Sequence, residues 1–299
     1  MLSKKLIIIS GATATGKSNL ASKIASSNNN FAIINADALQ IYKDLPILSA
    51  QPDFNDKNLN YFLYSILSIE EKISVAIWLQ KVAAALETIK NNQQIPIIVG
   101  GSGMYISRLI DGIAFIPNID SDNIKKSQEI YEKIGHQEFQ KIYGTAKIID
   151  RQKLLRRAQI FLQTGKNIDY FLAQKNQNII EDYDVLHINL NLAREKIYQN
   201  CHDRFLYMLE NKVIEEVENC ISNAKFSLDL PIVKTLGFLE IYDFIHHKIT
   251  KEHMIQLATQ KTRNYAKRQL TWFRHQFKNI NFCLDINDGD NLIKKFLAK

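Results

Sequence analysis

Cysteine, proline and glycine are all scarce in this chain, at three, five and 11 of 299 residues. Cys201, Cys220 and Cys283 are far apart and odd in number, with no C-x-x-C pair and no histidine ladder nearby. That pattern excludes a disulfide framework and a zinc site. No apolar run reaches membrane-spanning length, and the short run Leu6–Ile9 leads into a glycine loop rather than a cleavage site. A reduced, cytoplasmic protein without signal peptide or membrane segment is therefore expected. The low glycine and proline content, beside heavy use of Ile, Asn and Lys, carries no functional message. Hydrophobic residues at 46% and charged residues at 23% are ordinary for a soluble globular chain, long enough for one large domain or two.

Acidic residues are missing where they would matter most. From Lys261 to Lys278 the chain carries Lys261, Arg263, Lys267, Arg268, Arg274 and Lys278 without one Asp or Glu. Arg151, Lys153, Arg156 and Arg157 make a second basic cluster within a formal net charge of +7. Either cluster alone reads as a solvated helix face; the two together fit a polyanion.

What is present begins at the phosphate loop. Gly11-Ala12-Thr13-Ala14-Thr15-Gly16-Lys17-Ser18 follows the buried-strand pattern Leu6–Ile9 and precedes a helical pattern through Leu20, Ala21, Ile24 and Ala25. This is G-x-x-x-x-G-K-[ST] in its strand, loop and helix setting. The glycines let backbone wrap an oxyanion, and the helix aims its unpaired N–H groups there. Lys17 adds a full charge, and Ser18 is placed to ligate the Mg²⁺ that travels with a di- or triphosphate.

Phe31–Ala36 reads as a second buried strand ending at Asp37. Ligands of doubly wound sheets lie beyond the strands' carboxyl ends, so Asp37 and the phosphate loop should share one cleft. Asp37 is then a base, a metal ligand or a helix N-cap, and position alone does not choose. Ser74 caps a predicted helix over 74–91. A third strand, Ile95–Val99, runs into Gly100-Gly101-Ser102-Gly103 instead of the Asp with which a nucleoside-triphosphate hydrolase would hold Mg²⁺. That counts against a motor or switch ATPase and is compatible with a kinase-like transferase or with another enzyme that only needs to hold a pyrophosphate. From Asn118 to Asp182 only helical patterns occur: 124–134, 137–143, 151–164 and 168–174, with Leu154, Leu155, Ile160 and Phe161 turned inward. Val185–Leu190, including His187, reads as a return strand, and a single long helix is predicted from Arg194 through Val217. Another helix opens at Lys234–Phe238, and the basic helix spans 251–278, with Tyr265, Trp272 and Phe273 as core anchors. The fold expected is α/β: a parallel phosphate-loop sheet flanked by helices over 1–118 and 184–299, with an all-helical insertion over 119–183.

Taken together, the phosphate loop, Asp37–Tyr42, Gly100–Tyr105, Asp150–Arg156 and Thr262–Arg274 resemble the tRNA dimethylallyltransferases nearly end to end. The last block is the most specific, because phosphate-loop kinases have no counterpart. The resemblance implies transfer of the isopentenyl group of dimethylallyl diphosphate to the exocyclic amine of the adenosine 3′ of the anticodon, with Mg²⁺ as cofactor, and we expect a monomer. It implies Asp37 as base, Lys17 and Ser102 as catalytic partners, and diphosphate binding by Gly11 to Ser18 with Arg204. It implies tRNA contacts from Asp37, Ala38, Leu39 and Gln40, from Gln152, Lys153, Leu154, Leu155 and Arg156, and from Lys234 and Arg268. The insertion would take the anticodon stem-loop. The chain departs from the family pattern at Ser49, Gln51, Tyr61, Ile73, Ser102, Ile124, Arg157 and Lys212, where Thr, Lys, His, Tyr, Thr, Arg, Ala and Gly respectively are usual or known. Two other classes stay open on the residues alone: a small-molecule kinase using Asp37 as base, and a non-catalytic RNA-binding protein.

Overall fold

The computed structural model describes residues 4–27, 30–54, 59–114, 116–174, 178–277 and 280–299. The chain separates into two compact units, one of residues 1–110 with 179–299 and one of residues 111–178. Lys278 of the basic run lies outside the described residues.

The larger unit is organised by a six-stranded sheet. Strands β1 (Lys4–Gly11), β2 (Phe31–Asn35), β3 (Asn60–Phe62), β4 (Ile95–Gly100), β5 (Tyr183–Leu190) and β6 (Asn281–Cys283) lie in the order β3-β2-β4-β1-β5-β6, and every pairing is parallel. Parallel sheets are covered on both faces, which explains the unbroken apolar run of β1, where Leu6 to Ile9 have no exposed surface. His187 on β5 is an internal strand residue as predicted. Its ring nitrogen lies 2.9 Å from Ser10 Oγ, and burial pushes its pKa down to about 4.

Helix α1 (Lys17–Ala25) packs Leu20, Ala21 and Ile24 against the sheet, and α2 (Val75–Asn91) begins where Ser74 Oγ accepts from the Ile77 amide at 3.2 Å. Trp78 of α2 has no exposed surface. It donates through Nε1 to the Asn35 carbonyl at 3.0 Å and stacks on Tyr105 of α3 (Gly103–Asp111).

The smaller unit holds α4 (Ser121–Tyr143), α5 (Arg151–Thr164) and α6 (Ile168–Leu172) and, among its described residues, no strand. Gly135, at φ 75°, breaks α4 where the sequence placed a boundary between two helices. Phe139, Leu154, Leu155 and Ala158 form its core. Phe161 departs from expectation. It meets Tyr143 edge to face, 6.1 Å between centroids, and remains 46% exposed. Arg157 is not part of a basic surface: only 11% of its side chain is exposed, and it donates to Asp169 at 2.5 Å and to the Tyr143 carbonyl at 2.9 Å.

The return half of the larger unit differs from its predicted form at three places. The single helix expected from Arg194 is two, α7 (Arg194–Glu210) and α8 (Val213–Ile221), because Lys212 sits in the left-handed region at φ 67°. Lys234 ends a 3₁₀ turn over Pro231–Lys234, and α9 (Phe238–Ile245) begins only after Gly237. After α10 (Lys251–Gln276) come β6 and α11 (Ile286–Leu297), which the sequence reading had not anticipated. All three cysteines are free and buried. Among the described residues no helix is long and apolar enough to cross a membrane.

A left-handed conformation costs an L-residue roughly 1–2 kcal/mol, against roughly 0.5–1 kcal/mol for the extra unfolded freedom of glycine. The exposed Lys212–Glu215 pair, at 3.3 Å, offsets little of this. Lys212→Gly should therefore stabilise the protein by about 0.5–1 kcal/mol in urea unfolding at unchanged m-value. A loss of stability would show that the position is not strained.

Candidate active site

β1 ends at Gly11, and the turn 11–16 delivers the chain to the first turn of α1, whose unpaired amides can meet an anion. The loop is held from within and without. Thr15 Oγ1 donates to the Ala12 carbonyl at 2.9 Å, and Lys17 Nζ donates to the same oxygen at 2.6 Å. Ala14 takes a left-handed φ of 63°, and Asn200 Nδ2 on α7 donates to its carbonyl at 2.9 Å. Opposite the loop lies a cavity of about 410 Å³ whose walls include Lys17, Ser18, Asp37, Gln40, Ser49 and Arg204. Asp37 is the one carboxylate among its lining residues. Burial pushes Lys17 down to about 8; Asp37 raises it and Arg204 lowers it further. Burial also lowers Arg204, with Cys201 and Asp37 acting against the fall. Two cations thus share a desolvated site with a single counter-charge, the electrostatic signature of a pocket built for an anion.

Asp37 is aimed by its neighbours. Asn35, buried at the end of β2, accepts from the Asp37 amide at 2.7 Å and donates from Nδ2 to the Asp37 and Leu63 carbonyls at 3.0 Å each. The Asp37 carboxylate accepts from the Leu39 amide at 3.0 Å, and no helix follows it. The helix-cap reading is therefore excluded: this is an Asx turn, and the second carboxylate oxygen is not consumed by it. Ser102 Oγ accepts from the Ala38 amide at 2.9 Å, and Ser102 N donates to the Ala36 carbonyl at 3.2 Å. The serine is thereby tied to the Asp37 turn. Burial and the Asp37 charge push the Tyr265 phenol up to about 12, keeping it neutral.

The loop after Asp37 forms another wall. Gln40 Nε2 donates to the Ser49 and Ala50 carbonyls at 3.0 and 2.7 Å, and Glu216 at the start of α8 accepts from the Ile47 and Leu48 amides at 2.7 and 2.8 Å. Gln51, where the family usually has Lys, donates to the Tyr42 carbonyl at 2.7 Å and accepts from Ser65 Oγ at 2.5 Å.

The remaining sequence-predicted residues fall into three groups. Gln152, Lys153 and Arg156 are exposed on α5, whereas Leu154 and Leu155 point into that unit's core. Lys234 is exposed after its 3₁₀ turn. Arg268 is exposed on α10 with its guanidinium 5.5 Å over the Tyr265 ring. Tyr265 and Trp272, expected as core anchors, are only half-buried and border a recess of about 200 Å³ beside Gly101, Gly103 and Met104; Phe273 alone reaches the core, at 1% exposure. The sequence reading missed Asn35, Asn200, Glu216 and Gln269. Each is a polar residue at a position apolar periodicity assigns no task, and only Gln269 lay inside a quoted motif.

No group of three or more His, Cys, Asp and Glu residues converges among the described residues. Ser18 lines the cavity beside the phosphate loop, and its hydroxyl is the hard oxygen donor that suits a Mg²⁺ accompanying a phosphate.

A family model described as IPP transferase matches residues 40–276. A tRNA dimethylallyltransferase of Ehrlichia chaffeensis is 35% identical over 287 residues, covering 93% of each chain. The full-length tRNA isopentenylpyrophosphate transferase of Bacillus halodurans superposes with a TM-score of 0.69 at 25% identity, covering 99% of this chain and 96% of that one. A eukaryotic dimethylallyltransferase acting on tRNA gives a TM-score of 0.78 at 25% identity over 99% of this chain and 78% of its own.

Because burial holds the Lys17 pKa down to about 8, an anion bound beside it must raise that pKa, so binding takes up a proton above that pH. Affinity for inorganic diphosphate with Mg²⁺ should fall as pH rises through about 8, with proton uptake seen by calorimetry in buffers of different ionisation enthalpy. Lys17→Met should remove that component. Proton uptake unchanged in Lys17→Met would place the titration elsewhere.

Proposed function

This chain belongs to the IPP transferase family, and we propose that it transfers the dimethylallyl group of dimethylallyl diphosphate to the N6 amine of the adenosine immediately 3′ of the anticodon in tRNA, releasing diphosphate. The observation that carries the reading is the single cavity in which Lys17, Arg204 and the loop amides stand together with one carboxylate, Asp37. Such a site holds a leaving diphosphate and a base, and its strand β4 ends in glycines rather than in an acid that would orient water.

The diphosphate lies in the loop Gly11 to Ser18, against its amides other than that of Thr13, which donates to Gln269 Oε1, with Lys17 and Arg204 as charge partners. As the allylic carbon–oxygen bond breaks, its electron pair goes to the bridging oxygen, and these donors stabilise the growing charge. Ser18 would hold a Mg²⁺ at this site, and the ion would supply Lewis-acid stabilisation of the leaving group. The adenine amine is a weak nucleophile because its lone pair is delocalised into the ring. Asp37 takes the amine proton as the carbon–nitrogen bond forms and later gives it to solvent. Ser102, whose Oγ already accepts from Ala38, keeps its own proton for the cleft and holds the Asp37 turn in place. The base leaves its stack to reach these groups.

The tRNA partner is assigned to two basic surfaces. Gln152, Lys153 and Arg156 on the helical unit take the anticodon stem-loop, while Ala38 to Gln40, Lys234 and Arg268 meet the loop on the catalytic unit. We assign the catalytic unit to 1–118 with 184–299 and the RNA-binding insertion to 119–183, bounds supported by the nearby division of the chain into two compact units. Incubating the protein with undermodified tRNA and either labelled dimethylallyl diphosphate or labelled ATP tests the assignment. Prenylated adenosine in the tRNA supports it, and phosphoryl transfer from ATP to a small hydroxyl compound would replace it with a kinase.

Asp37→Asn keeps an oxygen for the Leu39 amide and removes only the base, so the single-turnover rate should fall about 10²–10⁴-fold with melting temperature and tRNA affinity held. A stable, fully active Asp37→Asn protein would remove Asp37 from the chemistry. For RNA, Arg156→Ala and Arg268→Ala should each lower the log–log salt slope of tRNA binding by roughly 0.7–0.9, the value of one phosphate contact. An unchanged slope would return that side chain to a solvated helix face.

A further inference from the structure

One buried polar side chain in the catalytic unit belongs to none of the roles above. Gln269, on α10, is 7% exposed. Its Oε1 accepts from the Thr13 amide of the phosphate loop at 2.8 Å, and its Nε2 donates to the Gly101 carbonyl at 2.9 Å. Only one orientation of the amide satisfies both partners, so the side chain is fixed by the bonds it makes. Space around it is reserved: a Cβ at Gly101 would stand 2.5 Å from Gln269 Nε2.

These two bonds join the halves of the reaction. Thr13 lies in the loop assigned to the leaving diphosphate. Gly101 adjoins Ser102, whose Oγ accepts from Ala38 next to Asp37. A continuous chain therefore runs from Thr13 through Gln269, Gly101, Ser102 and Ala38 to the base. The sheet sets the approximate separation of β1 and β4, but both loops project beyond their strand ends, and among the described residues Gln269 is the side chain that bonds to both. Its sequence neighbour Arg268 faces outward, where RNA contact has been assigned, so one turn of α10 serves substrate on one side and loop geometry on the other.

We propose that Gln269 is a positioning residue that fixes the phosphate loop relative to the Ser102–Asp37 turn, and so sets the distance between the departing diphosphate and the attacking amine. The inference rests on the transfer reaction proposed above. Gln269 touches neither substrate; it acts through the Thr13 amide and the Gly101 carbonyl. Misplacement of reacting groups by about 1 Å can cost on the order of a hundredfold.

The test uses the full-length protein, saturating tRNA and saturating dimethylallyl diphosphate, with single-turnover transfer followed to completion. Gln269→Leu keeps much of the volume and loses both bonds; Gln269→Glu keeps an acceptor for Thr13 and loses the donor to Gly101. Each should lower the exponential rate constant about ten- to a hundredfold, with tRNA affinity within twofold of wild type. The rate constant is read rather than the amplitude because a purely structural defect reduces the active fraction and leaves the rate constant of the folded molecules unchanged. An unchanged rate constant in either soluble variant overturns the proposal. So does a weakened tRNA affinity with a wild-type rate constant at saturation, which would make Gln269 an RNA-binding residue. Wild-type protein that forms no prenylated tRNA would overturn the underlying reaction instead, before any variant is compared.

Discussion

A Cβ at Gly100 would stand 2.1 Å from the Ala36 carbonyl oxygen, and the site depends on that contact being backbone against backbone. β2 and β4 are neighbours in the sheet, and where they end their chains pass close enough for Ser102 N to reach the Ala36 carbonyl and for Ser102 Oγ to receive the Ala38 amide. Any larger residue at 100 would separate the strand ends and detach the serine from the aspartate turn. The glycine that ends β4 is therefore a steric requirement, which explains why an acid does not stand there.

The second constraint is electrostatic. Lys17 and Arg204 are both depressed mainly by burial, and the one nearby carboxylate raises both without restoring either. A cavity with two partly desolvated cations and one anion is incomplete until an anionic ligand enters. Bonds such as Asn200 to Ala14 hold the loop in place, so in the proposed reaction its donors need no reorganisation when charge grows on the leaving group. The same arrangement suits a departing diphosphate better than an attacked phosphate, since nothing in the loop after β4 is placed to activate water.

How much of this was legible in the sequence depended on whether a residue's task is local. The phosphate loop, the strand before it, the Ser74 cap and the helical texture of residues 124–174 follow from spacing, turn chemistry and capping, which act within a few residues. β3 and β6, of three residues each, are too short for alternation to register, and β6 and α11 were left unassigned for that reason and for want of a long apolar period. The break at Lys212 escaped because lysine is a good helix former whose side chain carries no local signal for the left-handed conformation it takes. Tyr265 and Trp272 fell on an apolar helical period, yet the glycine loop opposite them leaves a recess rather than a wall. Gln269 and Glu216 were invisible for the opposite reason: a buried polar side chain takes its meaning from partners more than a hundred residues away in the chain.

The account stands on the claim that the phosphate loop holds a leaving group and that carbon, not phosphorus, is transferred. Dimethylallyl diphosphate carrying one label in the prenyl group and a second in the diphosphate tests this in one reaction with undermodified tRNA. The account predicts prenyl label in the tRNA adenosine and an equal amount of phosphorus label in free inorganic diphosphate, with none in the RNA. Phosphorus label in the tRNA, or diphosphate release without prenyl label in adenosine, would contradict it.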